Sequence, residues 1–267
     1  MTNLDKQKIL YYIKLAYPKE AHYMKRAIVL IIACIIIFGC GSKKRNVTGT
    51  PTATKDIKAL LQESIPKVTD STKIKRFVMV VAPRAFRFEE FVIPYELLTK
   101  FGHKVNVASI DTIFASGVYD QELLTKMLHN IKFNFYDTAK VYSASLKPQL
   151  MVKDIDTLKF DGIILVGGMG AAIYWDDANI RKFVQYFART PNKIVAAICL
   201  APVTLARAGV LAGKKATVFE DRETIKELKN NGAVYEKTDV VISGNIITAS
   251  GPAASEKFAR AIALTVR

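Results

Sequence analysis

Four short apolar runs punctuate the middle of the chain: residues 77–82 (FVMVVA), Lys104–Ser109 (KVNVAS), residues 162–166 (GIILV) and Ile194–Ile198 (IVAAI). Successive side chains of a strand point to opposite faces, so a run that is apolar at consecutive positions fits a strand buried on both sides. Segments of helical spacing follow over residues 88–101, closed by Gly102, and over 177–189, 202–208, 222–231 and 254–266. Late strands are expected over 216–219, 240–242 and Ile246–Ala249, with Ser243-Gly244-Asn245 as a hairpin turn between the last two. Strands alternating with helices predict an α/β fold whose mainly parallel sheet is covered on both faces, with ligands beyond the carboxyl ends of the strands. Residues 110–160 break the rhythm. A helix over 121–131 and a hairpin-like segment over 142–151 make them an insertion beside the sheet edge.

The N-terminus carries a different signal. Residues 27–39 (AIVLIIACIIIFG) are thirteen apolar or small residues directly after Lys25 and Arg26. A membrane-spanning helix needs about twenty, whereas the apolar core of a secretory signal needs roughly 7 to 15. Ile37-Phe38-Gly39-Cys40 resembles a bacterial lipobox, with Phe38 bulkier than the residue usual there. Lipidation at Cys40 would hold an exported domain on a membrane; the alternative is an uncleaved signal anchor. The organisation expected is therefore a signal segment over 1–45, a Thr-, Pro- and Lys-containing tether over 46–72 and one domain over 73–267.

Half of the residues are hydrophobic, which excludes a disordered or collagen-like chain. The formal net charge is +15, yet residues 1–45 hold nine Lys or Arg against two acids, so half of the excess sits in the signal segment. The rest is scattered as Lys/Glu mixtures with no run of five like charges, and no nucleic-acid partner is expected. Outside the first 45 residues Cys199 is the single thiol, which rules out a disulfide within the domain.

Three loops at carboxyl ends of expected strands carry reactive residue types. Cys199 follows IVAAI and precedes a helix start at Pro202, where backbone N–H groups favour a thiolate. Gly167-Gly168-Met169-Gly170 follows GIILV, and adjacent glycines let an amide approach an oxyanion closely. Glu89 and Glu90 open the helix after the first strand. Tyr174 and Trp175, just after the glycine turn, could line a pocket. Each residue also has a plainer reading: Cys199 as a small core hydrophobe, Glu90 as an acid favoured at a helix N-terminus, the glycines as a tight turn, and Tyr174 and Trp175 as packing. No metal-ligand spacing stands out, and no cofactor is implied.

The segments VAAICLAPVTLARAGVLAGKKAT, LVGGMG, FRFEEFVIPYELLTKFGHKVNVAS and SGNIITASGPAASEKFARAIA, in their order along the chain, resemble the DJ-one/ThiJ/PfpI family from about residue 76 to 266, the insertion apart. The resemblance implies a flavodoxin-like fold with a nucleophile-elbow Cys. It places Cys199 as nucleophile, Glu90, four residues before Pro94, as the acid bonded to the thiol, and Gly168 as the oxyanion-side amide, with Gly167, Leu200 and Phe219 lining the pocket. Two departures matter. Peptidase-type relatives have His directly after the Cys, where this chain has Leu200, and others have His at the position of Phe219. Proteolysis with a His base is therefore not expected. Of the three histidines, His22 precedes the domain, His103 precedes the second strand and His129 lies in the insertion. Glu220 or Asp221 could stand in for the missing base.

Two kinds of role follow from the resemblance. One is attack of Cys199 on a small-molecule electrophile, a reactive dicarbonyl or a glycated thiol or amine, with Glu90 moving the proton in a glyoxalase- or deglycase-like hydrolysis. The other is non-catalytic, a reversibly oxidised sensor thiol or a binding lipoprotein. A homodimer is the arrangement common among such relatives.

Overall fold

The run at residues 77–82 is apolar because it forms the middle of a sheet. In the computed structural model, described for residues 65–110, 114–130 and 145–266, strand β1 (Arg76–Val81) buries every side chain after Arg76. It is flanked by β3 (Lys104–Ser109) and β7 (Gly162–Leu165), both parallel to it. Beyond β7 lie β8 (Ile194–Ile198), β12 (Ile246–Ala249) and β11 (Val240–Ser243); beyond β3 lies β6 (Leu150–Met151). Among the described residues of this sheet only the β11–β12 pair is antiparallel, joined by the expected Ser243-Gly244-Asn245 turn with Gly244 at φ 63°.

Helices cover the sheet. α1 (Phe88–Lys100) follows β1, α3 (Ala178–Arg189) follows β7, α4 (Pro202–Arg207) follows β8 and α6 (Ser255–Thr265) follows β12. β8 contacts both α3 and α6 and all five of its residues are buried. α6 also packs on α1. The helix starts are written locally: Asp177 accepts the N–H of Ile180, and Asp221, ahead of α5 (Arg222–Asn230), accepts those of Glu223 and Thr224. Pro94 lies inside α1 and has no N–H for the Glu90 carbonyl one turn earlier, so the backbone ladder is broken at the turn that carries Glu90.

Several short elements differ from the expectation. Residues 84–87 form a strand, β2 (Arg84–Arg87), in a three-stranded side sheet with β4 (Ala115–Val118) and β5 (Ser145–Leu146). The segment expected as a hairpin over 142–151 is not one in its described part: β5 joins this side sheet, whereas β6 pairs in parallel with β3 on the edge of the main sheet. The strand expected over 216–219 shrinks to β9 (Lys215–Ala216), paired with β10 (Val234–Tyr235), because the backbone beyond it bonds elsewhere: Thr217 N–H goes to Thr248 Oγ1, and Phe219 N–H to the Cys199 carbonyl. α2 (Gln121–Asn130) stands within the helix expected in the insertion and buries Leu124 and Met127. Val68 donates its N–H to the carbonyl of Phe101 at the end of α1.

The signal segment, Cys40, His22, the tether up to residue 64 and residues 131–144 of the insertion lie outside the described residues. Among the described residues no helix is long and apolar enough to cross a membrane.

Candidate active site

Cys199 sits in the turn between β8 and α4 with φ at 64°, a left-handed conformation that a non-glycine residue adopts at a cost of about 1–3 kcal/mol. Its backbone is held on both sides. The N–H donates to the Ala249 carbonyl at the end of β12, and the carbonyl accepts the N–H of Phe219, each at 2.9 Å. The geometry is that of a nucleophile elbow, a strained strand-to-helix turn that presents one side chain.

Against the sulfur stands Glu90, in the first turn of α1 and wholly buried. Neither carboxylate oxygen makes a well-formed hydrogen bond with the protein. The polar groups that face it are the Cys199 thiol and the Gly167 amide. Burial pushes the Glu90 carboxyl up to about 8, and the Cys199 thiol, the neighbouring Arg87 and the Gly167 amide pull it back only in part. The carboxyl is therefore protonated at neutral pH. Burial also pushes the Cys199 thiol well above its usual range, with the Glu90 charge acting in the same direction. The N–H groups of Gly168 and Leu200 draw it down, as expected of amides at this turn, but burial outweighs them. α4 is also only six residues long. Thiol and carboxyl thus form a coupled pair that keeps its protons at neutral pH.

The glycine turn is built around this pair. A Cβ on Gly167 would lie 2.5 Å from Glu90 Oε2, 2.5 Å from the Ile198 carbonyl oxygen and 2.6 Å from Cys199 Cβ, so only a hydrogen fits between acid and cysteine. Gly168, at φ 87°, has Arg87 N where its Cβ would go, at 2.4 Å, and Arg87 N–H donates to the Gly167 carbonyl. Gly168→Ala would force a left-handed alanine into backbone and should cost about 3 kcal/mol, read as a lower denaturant midpoint at unchanged slope.

Glu89, also wholly buried, pairs with Arg87 at 2.9 Å and accepts the Asp120 N–H at 2.6 Å, tying the start of α2 to the helix that carries Glu90. The sequence marked Glu89 only as a helix-start acid. Its partner Arg87, two residues before it, was the available signal.

The remaining candidates are resolved by position. Leu200 is half-buried beside Cys199, and Phe219 exposes its ring while its amide holds the elbow. Glu220 and Asp221 do not replace the missing base: Glu220 is paired with Lys237, and Asp221 caps α5. His103 lies at the amino ends of β1 and β3, opposite the site, accepting the Lys75 N–H through Nδ1; burial lowers its pKa. His129 is exposed on α2. Tyr174 is packed in the core with its hydroxyl toward the Val80 carbonyl. Among the described residues no group of three or more His, Cys, Asp or Glu side chains is placed to hold a metal ion.

A buried elbow cysteine paired with a helix-start glutamate, against a glycine turn, is the constellation the four sequence segments implied, and the sequence matches the DJ-1/PfpI family over residues 75–264. The chain belongs to the DJ-1/PfpI family. An uncharacterized protein of Methanocaldococcus jannaschii is 35% identical over 184 residues, 68% of this chain and 78% of that protein. The protein named Deglycase PfpI of Pyrococcus furiosus is 26% identical over 178 residues, 66% of this chain and 90% of its own length. The crystal structure of a ThiJ/PfpI domain protein from Brachyspira murdochii superposes with a TM-score of 0.60 at 24% identity, covering 72% of this chain and 96% of that one, which establishes the shared fold. DJ-1/PfpI membership thus accounts for the mainly parallel sheet flanked by helices.

Proposed function

We propose that this DJ-1/PfpI domain hydrolyses small reactive dicarbonyls, or the adducts they form on thiols and amines, through Cys199. The observation that supports the reading is the buried pair itself. A thiol in contact with a neutral carboxyl can add across a carbonyl with both protons moving inside the pair, without first forming a buried thiolate. The sulfur forms a bond to the aldehyde carbon as the carbonyl π bond breaks; Glu90 takes the thiol proton on one oxygen and gives its own to the new alkoxide. The Gly168 amide lies on the oxyanion side. A proton then moves from the aldehyde carbon to its neighbour, leaving a thioester on Cys199. Water cleaves it, releasing the hydroxy acid and restoring the thiol. Atoms balance with water as the only co-reactant. The name of the Pyrococcus relative supports the same class of chemistry. In the same reading, residues 27–39 and Cys40 hold the domain at a membrane.

The test is methylglyoxal consumption with lactate formation by the full-length chain. Turnover is expected, and Cys199→Ser should abolish it while leaving the melting temperature within a few degrees. A wild-type protein that neither consumes methylglyoxal nor accumulates a Cys199 adduct would sink the proposal.

A further inference from the structure

Trp175 is the chain's single tryptophan, and it is clamped between the two ends of α4. Its indole Nε1–H donates to the carbonyl of Leu200, immediately before the helix, at 3.2 Å. Its ring face carries the guanidinium of Arg207, the last residue of the helix, 5.0 Å from the ring centroid. Arg207 is itself fixed from two sides. It holds Glu227 of α5 through both Nε and a terminal nitrogen, at 3.1 and 2.9 Å, and Asp176 at 2.8 Å. A bidentate guanidinium held over an aromatic ring is a rigid arrangement that Lys does not reproduce. The carbonyl that the indole holds belongs to the peptide after Leu200; the N–H of Leu200 lies in the preceding peptide, which is shared with the nucleophile, and draws on the sulfur.

We infer that Trp175, steadied by Arg207, is a positioning residue that holds the Leu200 residue so that its amide stays aimed at the Cys199 sulfur. The inference rests on the reading of Cys199 as the reacting group. The indole fixes a backbone, the backbone presents a donor, and the donor stabilises charge developing on sulfur or on the adduct oxygen. The titratable group against the sulfur is Glu90 of α1, with Arg87 and Glu89 behind it; the Arg207 charge is engaged by Glu227 and Asp176, so its effect on the thiol runs through the ring.

Alkylation of the full-length chain by iodoacetamide, with the Cys199 peptide read by mass spectrometry across a pH series, tests this. Trp175→Phe keeps a ring for Arg207 and deletes only the N–H. It should slow Cys199 alkylation at neutral pH by about tenfold, the loss of roughly one hydrogen bond, and move the midpoint upward without a matching fall in melting temperature. Arg207→Lys should act in the same direction with Trp175 still present, and the Trp175 emission should shift red as the ring loses its cover. This second variant decides the matter if Trp175→Phe fails to fold. Wild-type rate and pH midpoint in the folded variant would overturn the inference alone. A wild-type Cys199 that resists alkylation at every pH would instead overturn the reading on which it rests.

Discussion

Glu90→Gln should make the domain more stable, and increasingly so as the pH rises. Glu90 has a folded-state pKa of about 8 against 4.5 for a solvated glutamate, raised chiefly because its charge would be buried. Between these values the folded state binds a proton that the unfolded state has released, so stability falls as the pH rises, at up to about 1.4 kcal/mol per unit. Below pH 4.5 both states are protonated and the difference vanishes; above 8 the full penalty, about 5 kcal/mol, applies. At pH 7 it is about 3 kcal/mol. Glutamine has nearly the same shape and no charge to bury. Its melting temperature should exceed the wild type's by on the order of 10 °C at pH 7 for a domain of this size and match it near pH 4.5. Parallel melting curves across that range would show that the carboxyl is not held neutral by the fold. If the prediction holds, stability is traded for a protonated acid beside the thiol, as expected of a site shaped for chemistry.

The same substitution should separate reactivity from turnover. In the wild type the Glu90 charge, once formed above pH 8 or so, repels the thiolate in a buried environment and pushes its formation to higher pH. Glutamine removes that charge and still presents N–H donors to the sulfur. Cys199 in Glu90→Gln should therefore alkylate with a lower midpoint, and each unit of that shift is about tenfold in rate below the midpoint. Methylglyoxal turnover should move the opposite way and fall by about a hundredfold or more, because an amide cannot relay the proton from sulfur to alkoxide. A midpoint at or above the wild-type value would contradict the charge argument. Turnover retained in full would remove Glu90 from the proton path.

The parts of this molecule that were readable in sequence are those whose cause is local or repeated. Residues 77–82 and Ile194–Ile198 are apolar at every position because both faces of their strands are covered, and that pattern has no other easy explanation. Cys199, Glu90 and Gly168 are assigned through the resemblance of their segments to the family, and the structure brings all three together. β2 is not legible because RAFR alternates weakly, contains Ala85 at φ 52° and pairs with β4, a strand of the insertion. The strand expected to Phe219 stops at Ala216 because Thr217 and Phe219 spend their amides on Thr248 and on Cys199. The raised thiol pKa was not legible either: a helix start predicts stabilising amides, while the depth of burial that outweighs them is decided by the whole fold. The link from Arg207 through Trp175 to Leu200 leaves no mark at any sequence spacing.

The bond from Cys199 N–H to the Ala249 carbonyl sets an order of assembly. Fifty residues separate donor and acceptor, and the other anchor of the elbow, Phe219, also lies downstream. Contacts so distant in sequence close late, after the loops between them have given up their freedom. During synthesis the thiol and its glutamate both leave the ribosome before the strand that pins the elbow has been made. A chain halted short of Ala249 carries Cys199 and Glu90 but lacks the carbonyl that holds the Cys199 amide, so the elbow is pinned only once its last described strand is in place.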